Sequence, residues 1–185
     1  MHELILGGQR SGKSRCAEQR AAVWLATPSR SAVLLATARA GDEEMRRRIA
    51  HHRLQRAACL PALQCEEVPI ELAQAIFRHS APDRLVVIDC LTLWLTNLLM
   101  PIDAAPLDDI EWDRTREALC DAVSEASGPV LLVSNEIGLG AAPMSREARR
   151  FVDELGRLHQ AMAARCDGVT LMVAGIEVPV KRGRR

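Results

Sequence analysis

The sequence predicts an α/β fold in three layers, a mostly parallel sheet enclosed between helices. Three observations predict it. The runs Ala32–Thr37, Leu85–Asp89, Val130–Ser134 and Val169–Ala174 are almost wholly apolar, as strands buried on both faces are. Helix-length segments separate them, and such β–α alternation gives parallel strands covered on both sides. A glycine-rich turn ending in lysine directly follows a further short apolar run, Leu4-Ile5-Leu6, and opens the first helix.

Taken in order, Leu4 to Leu6 is a strand, followed by a helix from about Gly12 to Ala26 that Thr27-Pro28-Ser29 breaks. After the strand Ala32–Thr37, Asp42 is a good N-cap for a helix to about Arg56. Ala57 to Val68 holds at most a short edge strand, and Pro69 to His79 reads as a helix with proline in its first turn. Leu85–Asp89 is the clearest strand. Leu91 to Met100 is a buried helix, Pro101 to Pro106 a loop, and Leu107 to Ala126 an acidic amphipathic helix. A glycine-containing loop from Asn135 to Pro143 follows the strand Val130–Ser134. The long helix Ser145–Cys166 then leads to a final strand, Val169–Ala174, and Lys181 to Arg185 reads as a frayed basic end.

The 185 residues fit one domain, 1–185. Twenty-four basic and twenty-four acidic residues balance, which argues against a nucleic-acid or membrane binder, since these carry a basic excess. With 3% aromatics and no Tyr, stacking platforms for single strands are not expected, and the core falls to Leu, Val, Ile and Ala. Six scattered cysteines form no CxxC pair or zinc spacing and read as reduced, packed thiols. Met144, Met162 and Met172 read as core filler. No leader-like or membrane-length apolar stretch is present, so a cytoplasmic location without stable membrane insertion is expected.

Only Lys13 and Lys181 are lysines, against 22 arginines. Lys13 lies in Gly7-Gly8-Gln9-Arg10-Ser11-Gly12-Lys13-Ser14, which fits GxxxxGK[ST] in the strand–turn–helix context that motif requires. The glycines let backbone N–H groups and the helix N-terminus surround a phosphate. Lys13 would reach the β- and γ-phosphates, and the Ser14 hydroxyl would ligate Mg2+. Asp89 ends a strand of the same sheet, where a carboxylate meets the metal shell; the alternative is that it caps the following helix. In Met45-Arg46-Arg47-Arg48-Ile49-Ala50-His51-His52-Arg53, Met45, Ile49 and His52 share one helical stripe, which turns His52 toward the protein body. Neighbouring cations favour a neutral imidazole suited to attack phosphorus; the alternative is a solvated basic face. Asn135 to Gly140 is either a substrate loop or a plain connection, and His159 reads as a packed or surface histidine.

Together these segments resemble the bifunctional adenosylcobinamide kinase / adenosylcobinamide-phosphate guanylyltransferase family of cobalamin biosynthesis, over nearly the whole chain. ILGGQRSGKSRCAE is similar to its GGxRSGKSxxAE segment, and LLATARAGDEEMRRRIAHHR to its strand–helix segment ending in paired histidines. VVIDCLTLWLTNLL resembles its Walker-B strand, VLLVSNEIGLGAAP its later strand and glycine loop, and RRFVDELGRLHQAMAARCDGVTLMVAGI its closing part. The resemblance implies a RecA-like P-loop fold. It also implies phosphorylation of adenosylcobinamide by ATP or GTP, then GMP transfer from GTP through a guanylyl-histidine, giving adenosylcobinamide-GDP. By position it places the nucleophile in the histidine pair, of which the inward-facing stripe selects His52 with His51 the alternative, and it implies Lys13 as catalytic. Nucleotide contacts fall to Gly7–Ser14, Ala36, Thr37, Ala38, Arg53, Leu54, Gln55, Arg56, Glu67 and Asp89. Leu63 and Cys65 stand where the family pattern has Trp and Thr, and Asp89 where a glutamate is frequent. The resemblance further implies Mg2+ and a homotrimer. Two other readings remain open: a monofunctional small-molecule kinase, and a RecA-like nucleotide switch or motor.

Overall fold

The computed structural model describes residues 1–182 other than 42, 44, 45, 48, 49, 51–53, 55–57 and 142. The elements run β1 (His2–Gly7), α1 (Lys13–Leu25), β2 (Ser31–Ala36), β3 (Leu63–Glu67), α2 (Leu72–His79), β4 (Arg84–Asp89) and α3 (Leu91–Leu99). They continue as α4 (Asp109–Glu125), β5 (Val130–Asn135), α5 (Arg146–Arg165), β6 (Gly168–Val173) and β7 (Ile176–Lys181). Between β2 and β3, described residues such as Glu43, Arg47, Ala50, Leu54 and Ala58 are helical.

One sheet joins the seven strands in the order β3-β2-β4-β5-β1-β6-β7. All neighbours are parallel except β6 and β7. Successive side chains of a strand point to opposite faces, so the apolar runs feed two cores. Leu4, Val33, Val86, Ile88 and Leu132 pack on the face covered by α2, α3, α4 and α5. Ile5, Leu34, Val87, Leu131 and Val133 pack with Cys16, Ala17 and Ala21 of α1 on the other. The structure thus has the three layers expected. The first core also holds Trp94 and Trp112, ring centroids 5.7 Å apart, so it is not the purely aliphatic core that the composition suggests. The Trp112 indole N–H donates to the buried Glu154 at 2.6 Å. Arg116 and Arg157 pair with that carboxylate, as a buried charge requires.

Four expectations fail for identifiable reasons. Helix α2 starts at Leu72, not Pro69, because the Pro69 and Ile70 carbonyls accept the Asn97 amide and the Trp94 indole N–H, at 2.9 and 2.8 Å. Lys181 is not frayed. It ends the antiparallel strand β7, and its ammonium donates to the Ala163 and Cys166 carbonyls at the end of α5, where a cation opposes the helix dipole. The helical stretch expected to stop near Arg56 includes Ala58 and Cys59. Met144 is 95% exposed, whereas Met162 and Met172 are buried. All six cysteines are free, Cys16, Cys90, Cys120 and Cys166 buried and Cys59 and Cys65 exposed. No helix of the described residues is long and apolar enough to cross a membrane.

Candidate active site

The turn between β1 and α1 departs from ordinary backbone at three places: φ is +154° at Gly7, +57° at Arg10 and +101° at Gly12. A Cβ at Gly7 would lie 2.5 Å from the Met172 carbonyl oxygen, so no larger residue fits without moving β6. Gly12 occupies the N-cap of α1 without a side-chain cap, which leaves its first-turn N–H groups for an anion. The turn is braced from outside, where the Gly175 N–H in the β6–β7 hairpin donates to the Ser11 carbonyl at 3.0 Å.

Lys13 is only 7% exposed, and its ammonium folds back to donate to the Gly8 carbonyl at 2.7 Å. Burial lowers its pKa, with Cys90 and Asp89 acting in the opposite sense. The Ser11 hydroxyl is buried with no hydrogen-bond partner among the described residues. A buried cation with a neutral acceptor, beside an orphaned hydroxyl, fits a loop shaped for phosphate oxygens.

The strand register lines up the remaining groups. Ala36 pairs with Glu67 on one side and Asp89 on the other, and Gly7 pairs with Asn135. The carboxyl ends of β3, β2, β4, β5 and β1 therefore form one edge, the position where open parallel sheets take ligands. Asp89 is not the N-cap of α3; Cys90 is. Thr37, fully buried, fixes this edge: its hydroxyl donates to the Cys90 carbonyl at 2.7 Å and accepts the Cys90 N–H at 2.9 Å. Asn97 donates to the Thr37 carbonyl at 2.8 Å as well as to Pro69. Ala38, Arg39, Ala40, Arg46, Ala50, Glu67 and Pro69 line a cleft of about 370 Å³, within the size range of small-ligand sites.

A buried polar chain lies under the end of β5. The Thr92 hydroxyl accepts the Asn135 N–H at 2.7 Å and lies 3.0 Å from the Ser134 hydroxyl. Ser134 Oγ is 2.8 Å from His159 Nε2, and His159 Nδ1 is 3.5 Å from a carboxylate oxygen of Glu136. Burial lowers the His159 pKa and Glu136 opposes the shift. His159 is thus a packed histidine, one of the two alternatives the sequence left.

The structure brings Gly7 to Ser14, Ala36, Thr37, Ala38, Glu67 and Asp89 to one edge. Leu54 is helical and exposed. His51, His52, Arg53, Gln55 and Arg56 lie outside the described residues. Sequence reasoning missed Thr92, Asn97, Ser134 and the link from Glu136 to His159. Their signal was polarity inside apolar runs, as in LTLWLTNLL and LLVSN.

Comparison with solved structures agrees with this architecture. The flagellar accessory protein FlaH from Methanocaldococcus jannaschii superposes with a TM-score of 0.53 at 12% identity, covering 98% of this chain and 78% of that one. A second solved structure, an ATPase domain, superposes with a TM-score of 0.52 at 15% identity, covering 92% and 68%. These likenesses establish the fold alone, a mostly parallel sheet between layers of helices. Over 182 residues the chain is 50% identical to the bifunctional adenosylcobalamin biosynthesis protein CobP of Pseudomonas aeruginosa, covering 98% of each. It is 35% identical over 187 residues to the bifunctional adenosylcobalamin biosynthesis protein CobU of Salmonella typhimurium, covering 96% of this chain and 98% of that protein. The sequence model described as cobinamide kinase / cobinamide phosphate guanyltransferase matches residues 3–180. With its phosphate loop intact and the match running nearly end to end, the chain belongs to the cobinamide kinase / cobinamide phosphate guanyltransferase family.

Proposed function

We propose that this enzyme phosphorylates adenosylcobinamide with ATP or GTP and then passes GMP from GTP to the phosphorylated product through His52. The observation that carries the reading is the buried Lys13 ammonium in its glycine turn, on the same edge as Asp89, in a chain that matches the family over residues 3–180. In the first step a substrate hydroxyl oxygen bonds to the γ-phosphorus as the bond to the β-phosphate oxygen breaks. The N–H groups of Gly8 to Ser14 hold the phosphates, and Lys13 swings from the Gly8 carbonyl to follow the developing charge.

The Ser14 hydroxyl and the Asp89 carboxylate are hard oxygen donors, suited to Mg2+; bound there, the ion would neutralise β- and γ-phosphate charge. In the second step a neutral His52 nitrogen attacks the α-phosphorus of GTP and pyrophosphate leaves. A phosphate oxygen of the cobinamide phosphate then displaces the histidine, so one hard displacement becomes two easier ones. Ala36, Thr37, Ala38 and Glu67 would contact this nucleotide, with Arg39 and Arg46 of the cleft facing its phosphates and Arg53 to Arg56 flanking the nucleophile. We further take residues 1–185 as one catalytic domain that works as a cytoplasmic homotrimer.

Incubation with α-labelled GTP and Mg2+, followed by denaturing electrophoresis, tests the reading. Wild type should retain acid-labile label, His52→Ala should lose it while still phosphorylating adenosylcobinamide, and His51→Ala should keep it. Label lost from His51→Ala alone would move the nucleophile back one residue. Normal labelling of both variants would leave a simple small-molecule kinase.

A further inference from the structure

We propose that Glu136 is the proton acceptor for the hydroxyl phosphorylated in the kinase step, with His159 as the residue that positions it. The inference rests on the kinase reading above and adds the group which that reading lacks.

Position selects Glu136. It directly follows β5, the strand between β1 with its phosphate loop and β4 with Asp89. Its N–H donates to the carbonyl of Gly7, the first residue of the loop, at 2.9 Å. Strands lie about 4.8 Å apart, so β5 is one such step from β1. Glu67, the carboxylate ending β3, is four steps away, or ~19 Å. Asp89 stands two steps away and is assigned to the metal. Among the carboxylates at the ends of the described strands on this edge, Glu136 is therefore the nearest to the phosphate loop in strand order.

Its side chain is also held for the work. One oxygen accepts the Gly138 N–H at 2.7 Å, and the other faces His159 Nδ1 at 3.5 Å. The chain beneath accommodates the tautomer this role needs. Thr92 Oγ1 accepts the Asn135 N–H and keeps a proton to give to Ser134 at 3.0 Å. With the Ser134 hydroxyl donating to His159 Nε2, His159 Nδ1 carries the N–H that faces Glu136. Desolvation keeps this ring neutral against the pull of Glu136. A neutral donor orients a carboxylate without the full charge that would drain its basicity. The His159 ring is nearly buried, while Glu136 keeps about a fifth of its side chain exposed, enough to meet a substrate.

The step balances. The O–H bond of the substrate breaks and its proton goes to a Glu136 oxygen as the oxygen bonds to the γ-phosphorus. The electron pair of the broken phosphorus–oxygen bond leaves on the nucleoside diphosphate. The proton returns to water as products depart.

Steady-state kinetics of adenosylcobinamide phosphorylation test this, with thermal melting and nucleotide binding as controls for folding. Glu136→Gln should lower kcat about 100-fold or more, the usual scale for a lost general base, with the nucleotide KM within about threefold of wild type. His159→Leu should lower kcat about tenfold, and His159→Asn should restore most of it. The Asn amide takes the place of Nδ1–H and still donates to Glu136, although it cannot reach Ser134. A Glu136→Gln enzyme with kcat within about threefold of wild type would overturn the proposal. So would a loss confined to nucleotide KM, or His159→Asn as slow as a folded His159→Leu. If the Leu variant does not fold, Glu136→Gln and His159→Asn decide alone. A wild-type protein that phosphorylates no cobinamide would instead defeat the underlying kinase reading.

Discussion

The two halves of the ligand edge are built on opposite principles. On the β1 side, the phosphate loop holds three residues at positive φ, a buried ammonium with a neutral acceptor and a buried hydroxyl with no partner among the described residues. On the β2–β4 side, Thr37 is satisfied at N–H, carbonyl and hydroxyl by Asp89, Asn97 and Cys90. The first half keeps groups in states that favour a ligand over the empty protein; the second keeps the edge in register. Strain and unsatisfied polar groups are therefore concentrated on the β1 side, and the most fully bonded residue of the edge on the β2–β4 side.

Substitutions should separate the two. The largest effect is expected of Lys13→Ala, which should lower kinase turnover about 10³-fold, roughly 4 kcal/mol of transition-state stabilisation. The melting temperature should stay level or rise, because a charge that burial disfavours has been removed. Unchanged turnover would break the comparison on its functional side. Thr37→Val is the converse: it strips both partners from the buried Cys90 backbone. Urea denaturation should show a loss of about 1–3 kcal/mol, and a stability equal to wild type would mean that this half is not the brace described.

The smallest effect concerns acid. The His159 pKa is lowered by burial despite Glu136, so the unfolded chain takes up this proton first as pH falls below the ordinary histidine value of about 6.5. Stability from the neutral ring is present above that pH and lost as pH falls through it toward the folded pKa. His2, also lowered by burial, is common to both proteins. The stability gap between wild type and His159→Asn should therefore narrow from pH 7.5 to 5.5. A gap that widens would mean that the ring is charged in the fold.

What was legible in the sequence follows the same division. Gly7 to Ser14 is contiguous, so its glycine pattern could be read directly, although the brace from Gly175 and the crowding by Met172 could not. That Asp89 ends β4 was legible because an apolar run stops there. The bonds from Thr37 to Cys90 and Asn97 span 53 and 60 residues, and no local pattern announces them. Helix α2 was placed too early for that reason, since the bonds that hold Pro69 and Ile70 come from α3. Strand β7 did leave a signal, the alternation in Ile176-Glu177-Val178-Pro179-Val180-Lys181. Pro179 concealed it, although an edge strand tolerates proline. The β6–β7 turn at Ala174 and Gly175, with φ of +52° and +81°, is of the kind that tight hairpins use. His159 was legible as a helical residue, but its meeting with Glu136 needed the packing of α5 under β5.

The place of β1 in the sheet has a consequence for synthesis. Its neighbours are β5 and β6, so Leu4 and Ile5 leave the ribosome early but gain no strand partner until residue 130 and beyond have followed. Such long-range parallel pairing is slow, and the waiting segment is apolar. The strand that begins the phosphate loop is made first and seated among the last. A nascent chain halted before β5 would hold the complete GxxxxGK[ST] motif without the strands that support it. Nucleotide affinity in a series of stalled chains should accordingly arise as a step, after the polypeptide has passed β6.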